Sequence, residues 1–179
     1  YAWIEVPGTV INYAVVQSAT DDLFYINHAV DKSYFSGGSI FSQRYNTTTF
    51  QDSMTVLYGH NSRSQAMFAQ LNNFADASFF EQNQSIYIYT PEKVYEYQIF
   101  AAYPHSSDHL LLCNDFNDPE QFAAYFDSLA DGVNCNYRRD LFPQFGDKVL
   151  TLSTCYRQNR TQRFLVQGVL TQEYTVLKK

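Results

Sequence analysis

Two residues able to do thiol chemistry stand at the ends of apolar runs: Cys155 closes VLTLSTC, and His60 follows TVLYG. A third, Arg163, opens the run RFLVQG eight residues after the cysteine. A thiol reacts as its thiolate, which needs a base or a positive neighbour. Histidine can serve as either. Arginine stays protonated and cannot act as a base, but its fixed donors can hold a carbonyl or a developing oxyanion. Adjacent antiparallel strands bring the end of one against the start of the next, so all three groups can meet at one sheet edge. Leu150 and Leu152 alternate with Thr151 and Ser153, and a thiol ending that alternation emerges at the rim of a cleft. Taken alone, a free cysteine is more often a small buried hydrophobe. The partnership with His60, placed after Gly59 where the backbone can turn, is what favours catalysis.

The rest of the chain has to position these groups. YAWIEV and VINYAVVQ read as strands separated by the turn signal Pro7–Gly8, followed by GGSIFSQRY and SMTVLYGHN. SIYIYTPEKVYEYQIFAAY reads as a hairpin, with Pro91 beginning the turn and the return strand running from Val94 to Tyr103. DKVLTLSTC and RFLVQGVLTQEYTVL form the last pair. Three segments predict helices. DDLFYINHAV has an acidic start at Asp21–Asp22 and His28 near its end. SQAMFAQLNNF sets Met67, Phe68, Leu71 and Phe74 on one face, with ASFFEQN continuing as a turn. DPEQFAAYFDSLADGV has Asp118 at its N-cap, Pro119 in the first turn and Gly132 as its stop. The order is not a regular βα alternation, so the expected fold is mostly β, a mixed or antiparallel barrel in one domain spanning 1–179.

Composition agrees. Hydrophobic residues make up 45% and charged residues 17% of 179, which excludes a disordered chain. Fifteen Tyr and fifteen Phe favour strands. The net charge of −6 and the lack of a basic block argue against a nucleic-acid partner. No apolar run is long enough to span a bilayer and no signal peptide is visible. The three cysteines form no CxxC pair, which argues against zinc. Cys113 and Cys135 form a candidate disulfide whose geometry the sequence does not fix. His105 and His109, with Asp108 between them, have metal-ligand spacing but no third ligand, so no metal or cofactor is expected.

TLSTC, YGHN and RFLVQG, in an order and spacing that cover nearly the whole chain, resemble the sortases, surface transpeptidases of Gram-positive bacteria. AWIEVPGTVINYAVVQ looks like the family's entry strands, and GGSIF like the strand before its histidine. Class B is the most similar subgroup: Ser153 in LSTC fits it, and DDLFYINHAV and DPEQFAAYFDSLADGV sit where its additional helical elements belong. The resemblance implies a closed barrel of seven to eight strands with peripheral helices. It also implies that Cys155 attacks a Thr–Gly-type bond in a C-terminal sorting signal, that His60 protonates the departing amine, and that Arg163 holds the substrate backbone and oxyanion. A thioacyl intermediate would then pass to an amine of cell-wall peptide or of a pilin lysine. The donor would be a surface protein or pilin at the extracellular face of the membrane, where an N-terminal anchor outside this sequence would hold the enzyme. Arg157 and Arg160 compete for the arginine role but lie in the loop; Arg163 starts an apolar strand, as the family's arginine does. Tyr58, Asn61, Ser153, Thr154 and Tyr156 flank the motifs as supporting candidates; Tyr156 stands where some relatives carry an acidic residue.

Three rivals stay in view. A papain-like protease needs its own local signature around the cysteine, which is missing here. An L,D-transpeptidase motif has a histidine and a glycine tightly before the cysteine, and LSTC lacks both. A noncatalytic adhesin or pilin-like β-domain would have no need for His60 and Cys155 to converge.

Overall fold

Ile86 and Ile88, Tyr95 and Tyr97, and Leu150 and Leu152 all turn into one interior, together with Ile4, Val15 and Val166. Their period-two spacing is what closes a sheet around an apolar centre. The computed structural model describes residues 1–132 and 134–176. Its strands are β1 (Ala2–Glu5), β2 (Asn12–Gln17), β3 (Ile40–Ser42), β4 (Met54–Tyr58), β5 (Ser85–Tyr89), β6 (Lys93–His105), β7 (Asn136–Tyr137), β8 (Val149–Cys155) and β9 (Arg163–Thr175). They run in the order β5-β1-β2-β3-β4-β8-β9-β6-β7, and β5 also pairs with β6. Eight strands therefore close into a barrel, and β7 lies outside on β6, as the expected sortase-like fold requires.

A second apolar layer covers the outside of β6 and β8. Helix α3 (Pro119–Leu129) presents Phe122, Phe126 and Leu129 to Phe100, Val149 and Leu165. Each fully buried ring or branched chain contributes about 1.5–3 kcal/mol of transfer free energy. Asp118 caps the helix by accepting from the Gln121 amide at 2.9 Å, and Pro119 occupies its first turn. Both faces of β8 are thereby buried up to Thr154, and only its last residue, Cys155, comes partly to the surface.

Registry then brings the strand ends together. In the parallel pair β4–β8, Tyr58 lies beside Ser153, and the Gly59 amide donates to the Ser153 carbonyl at 3.1 Å. Continuing that register by two residues sets His60 beside Cys155. In the antiparallel pair β8–β9, Cys155 faces Arg163, and in β6–β9 His105 faces Arg163. One row at the barrel's rim thus carries His60, Cys155, Arg163 and His105.

Several local expectations are corrected. DDLFYINHAV is not a helix: only Phe24–Ile26 forms a 3-10 turn, and His28 then bridges to Tyr34. Of its apolar residues only Tyr25 is buried, while Leu23 and Ile26 stay 55% and 40% exposed. His28 stacks on Phe24 at 4.0 Å and bonds its carbonyl at 2.7 Å instead of facing a helix terminus. Asp22 binds Arg44 at 3.1 Å, which holds its carboxyl below the usual range. SQAMFAQLNNF is a 3-10 segment, Ala69–Ala75, and ASFFEQN supplies the α-helix, α1 (Ala77–Gln82). Phe68, Leu71 and Phe74 are buried at spacings of three, the period of a 3-10 turn; Met67, at φ 54°, precedes it. Gly59 serves close packing, not a turn: a Cβ there would meet Ile40 and Phe68 at 2.6 and 2.7 Å. His105 ends β6 while His109 precedes a separate short helix, α2 (Leu110–Cys113), so the two do not share a helix face. Cys113, Cys135 and Cys155 are all free thiols, so the Cys113–Cys135 pair does not form.

Candidate active site

The row of strand ends opens into a cleft of about 260 Å³. His60, Cys155 and Arg163 all line it, with Tyr58, Ser153 and Thr154 from the same strand ends. The rest of the lining includes Leu23 and Ile26 from the β2–β3 connection, His105 at the end of β6, and Ser107 to Leu110 after it. The Arg163 Nη1 points at Cys155 Sγ from 3.8 Å, so the facing pair in the register is also a contact between side chains.

The histidine is held by a backbone group. His60 Nε2 lies 2.6 Å from the Ile26 carbonyl. A carbonyl only accepts, so Nε2 carries the hydrogen and the neutral ring keeps Nδ1 free. The cysteine is held through its own carbonyl: Asn61 Nδ2 donates at 2.9 Å and Asn72 Nδ2 at 3.3 Å. Asn72 also accepts the Arg157 amide through Oδ1 at 2.7 Å, which ties the loop after Cys155 to the 3-10 segment. Two amides thus fix the backbone of Cys155, and such anchoring restricts where its side chain can point.

The supporting candidates separate. Asn61 reaches Cys155, not the histidine loop. Thr154 is 2% exposed, lines the cleft, and its Oγ1 has no hydrogen-bond partner among the described residues. Tyr58 stacks on Phe41 at 5.5 Å, and burial pushes its hydroxyl pKa up, so it forms a neutral wall. Tyr156 does not border the cleft; it turns inward, 7% exposed, and stacks on Phe164 at 5.3 Å. The strand's alternation explains this, since the residue after an outward cysteine must face the core. Arg157 and Arg160 are exposed and lie away from the cleft that holds Arg163.

Three contributors were not legible in the sequence. Asn72 sits between Leu71 and Asn73 in an apolar-rich segment, with nothing to mark an amide that reaches another strand. The Ile26 carbonyl is backbone and has no sequence signal at all. His109 drew notice only for its spacing from His105; it lines the cleft, its Nε2 lies 2.6 Å from Gln43 Oε1, and its Nδ1 is buried without a partner.

Comparison with known proteins bears on the family and the fold. The sortase domain family model matches residues 4–171. Sortase B of Listeria monocytogenes is 29% identical over 170 residues, covering 94% of this chain and 68% of that protein. The crystal structure of Clostridium perfringens sortase B superposes with a TM-score of 0.84 at 31% identity, covering 96% of this chain and 93% of that one. A Streptococcus pyogenes class B sortase involved in pilus biogenesis superposes with a TM-score of 0.81 at 28% identity, covering 95% and 91%. Through a family match over nearly its full length and class B neighbours of the same barrel, the chain belongs to the sortase family of cysteine transpeptidases, in class B.

Proposed function

We propose that residues 1–179 form one catalytic domain that cleaves a C-terminal sorting signal and transfers the acyl group to an amine of cell-wall peptide. The supporting observation is the convergence of three strand ends, with Arg163 Nη1 3.8 Å from Cys155 Sγ and His60 lining the same cleft. Cys155 Sγ attacks the scissile carbonyl of a Thr–Gly-type bond. Arg163 holds the substrate backbone and the oxyanion by fixed donors. His60 Nδ1 takes the thiol proton as Sγ attacks and then gives it to the departing amine, while Nε2–H stays on the Ile26 carbonyl. The resulting thioester is resolved by the acceptor amine, because a thiolate leaves readily in the second step. The donor is a surface protein bearing the signal, and the enzyme works at the extracellular face of a Gram-positive membrane. Among the described residues no helix is long and apolar enough to cross a membrane. The likeness to a class B sortase involved in pilus biogenesis favours a second reading, in which a pilin lysine is the acceptor.

Mass spectrometry after exposure to a library of sorting-signal peptides tests the proposal. The expected result is an acyl adduct on the Cys155 peptide that is discharged by added amines; no adduct from any peptide refutes it. Two further outcomes are expected. Arg163→Lys loses activity by roughly a hundredfold, because an ammonium cannot reproduce the planar fork. Normal cleavage by that variant, with Arg160→Ala inactive, reassigns the arginine role. Iodoacetamide labels Cys155 first and the exposed Cys113 next. Cys135 labels last, because burial pushes its thiol up to about 11. Equal, slow labelling of all three contradicts a reactive Cys155.

A further inference from the structure

Cys155 borders two depressions. Besides the cleft, a groove of about 450 Å³ reaches it, lined by Asn61, Ser62, Arg63, Gln65, Arg157 and Arg160. Cys155 is the only lining residue the two share. No Asp or Glu lines the groove. Three other arginines each have a carboxylate, Arg44 with Asp22 at 3.1 Å, Arg138 with Glu81 at 3.6 Å and Arg139 with Asp127 at 3.6 Å, and Arg163 instead points at Cys155 Sγ from 3.8 Å. Among the described residues, Arg63, Arg157 and Arg160 pair with none, although the chain's net charge is −6. Arg157 is also held in place. Its Nη2 donates to Gln65 Oε1 at 3.1 Å and to the Ala69 carbonyl at 3.2 Å, and its amide bonds Asn72, the residue that anchors the Cys155 carbonyl.

We propose that this groove admits the acceptor amine and selects amines flanked by carboxylates. The inference rests on the transpeptidase reading above and adds the acceptor's chemical class. With the donor's acyl chain lying in the cleft as a thioester on Cys155, the second substrate needs a separate approach to the same carbon. The groove supplies one. The neutral amine nitrogen attacks the thioacyl carbon and the C–N bond forms. The C–S bond breaks with its electron pair returning to Sγ, and the proton the nitrogen sheds passes to His60. Guanidinium forks hold carboxylates beside the amine. These arginines are exposed, so each contact is weak and screened by salt.

The test is a competition for one thioacyl pool. Gly-Gly-Glu and Gly-Gly-Gln-amide present the same amine, with two carboxylates and with none. Equimolar amounts are offered to the acyl-enzyme at low salt, and the two products are quantified by mass spectrometry. The expected preference for the Glu peptide is roughly three- to tenfold. It shrinks at 1 M salt and falls toward parity in Arg63→Ala/Arg160→Ala, which removes two cations that hold no other described partner. A second readout needs no donor. In Cys155→Ala, titration with Gly-Gly-Glu is expected to shift the Nε–H NMR signals of Arg63, Arg157 and Arg160, while Gly-Gly-Gln-amide leaves them in place. Adduct formation followed by equal use of both peptides overturns this inference alone, as does a preference that survives in the double variant. Failure to form any adduct on Cys155 overturns the transpeptidase reading, and this inference with it.

Discussion

Cys155→Ala is expected to form no acyl adduct and to lower peptide transfer by at least roughly a thousandfold, in a protein that still folds. The size of the loss follows from the role: without Sγ there is no covalent intermediate, and residual turnover comes only from binding and oxyanion contacts. Retention of the fold follows from the packing. The side chain is only partly buried at the rim, and its one described polar contact is with Arg163 Nη1. The bonds that anchor this position run through the backbone carbonyl to Asn61 and Asn72 and survive the substitution. Thermal unfolding within a few degrees of the wild type, together with loss of the adduct, is the expected pair of results. Measurable transfer by Cys155→Ala would place the nucleophile elsewhere.

The second large effect is expected for His60→Ala, a loss of about 10²- to 10⁴-fold in both acylation and deacylation. In the proposed mechanism one imidazole serves both halves of the reaction, giving a proton to the departing amine and taking one from the arriving amine. The Ile26 carbonyl fixes which nitrogen does this, because it occupies Nε2–H and leaves Nδ1 to exchange. Single-turnover measurements separate the two halves. Both rate constants are expected to fall while donor affinity stays within a few-fold, since the ring's part is proton transfer. A variant that acylates normally and fails only with amines would confine His60 to the second half. His105 does not stand in its place: it lies across Arg163 in the β6–β9 ladder, not beside the cysteine.

Strand ends were the legible part of this protein. VLTLSTC, TVLYG and RFLVQG announced themselves by alternation and by a polar residue closing or opening each run, and these are β8, β4 and β9. Their motifs also carried the family. Helix α3 was legible for a similarly local reason, since its cap, first-turn proline and apolar stripe all lie within one short segment. Where local signals conflicted with packing, the reading failed. DDLFYINHAV has a helical stripe, but its loop spans the mouth of the cleft, where Leu23 and Ile26 have no core to bury against and the helix is not formed. SQAMFAQLNNF has the right buried residues with the wrong period, because three-residue and four-residue turns share many positions.

The sequence by itself determined which residues could react: a thiol, an imidazole and a guanidinium at strand ends, in a barrel-forming order. Only the tertiary structure decided that Cys155 faces Arg163, that a backbone carbonyl holds one nitrogen of His60, that Asn72 reaches the cysteine from another segment, and that Tyr156 turns inward. The physical reason is the range of the interactions. Alternation and capping act between near neighbours and leave a trace in residue order, whereas strand register and hydrogen bonds between distant segments are fixed only when the sheet closes and its core excludes water.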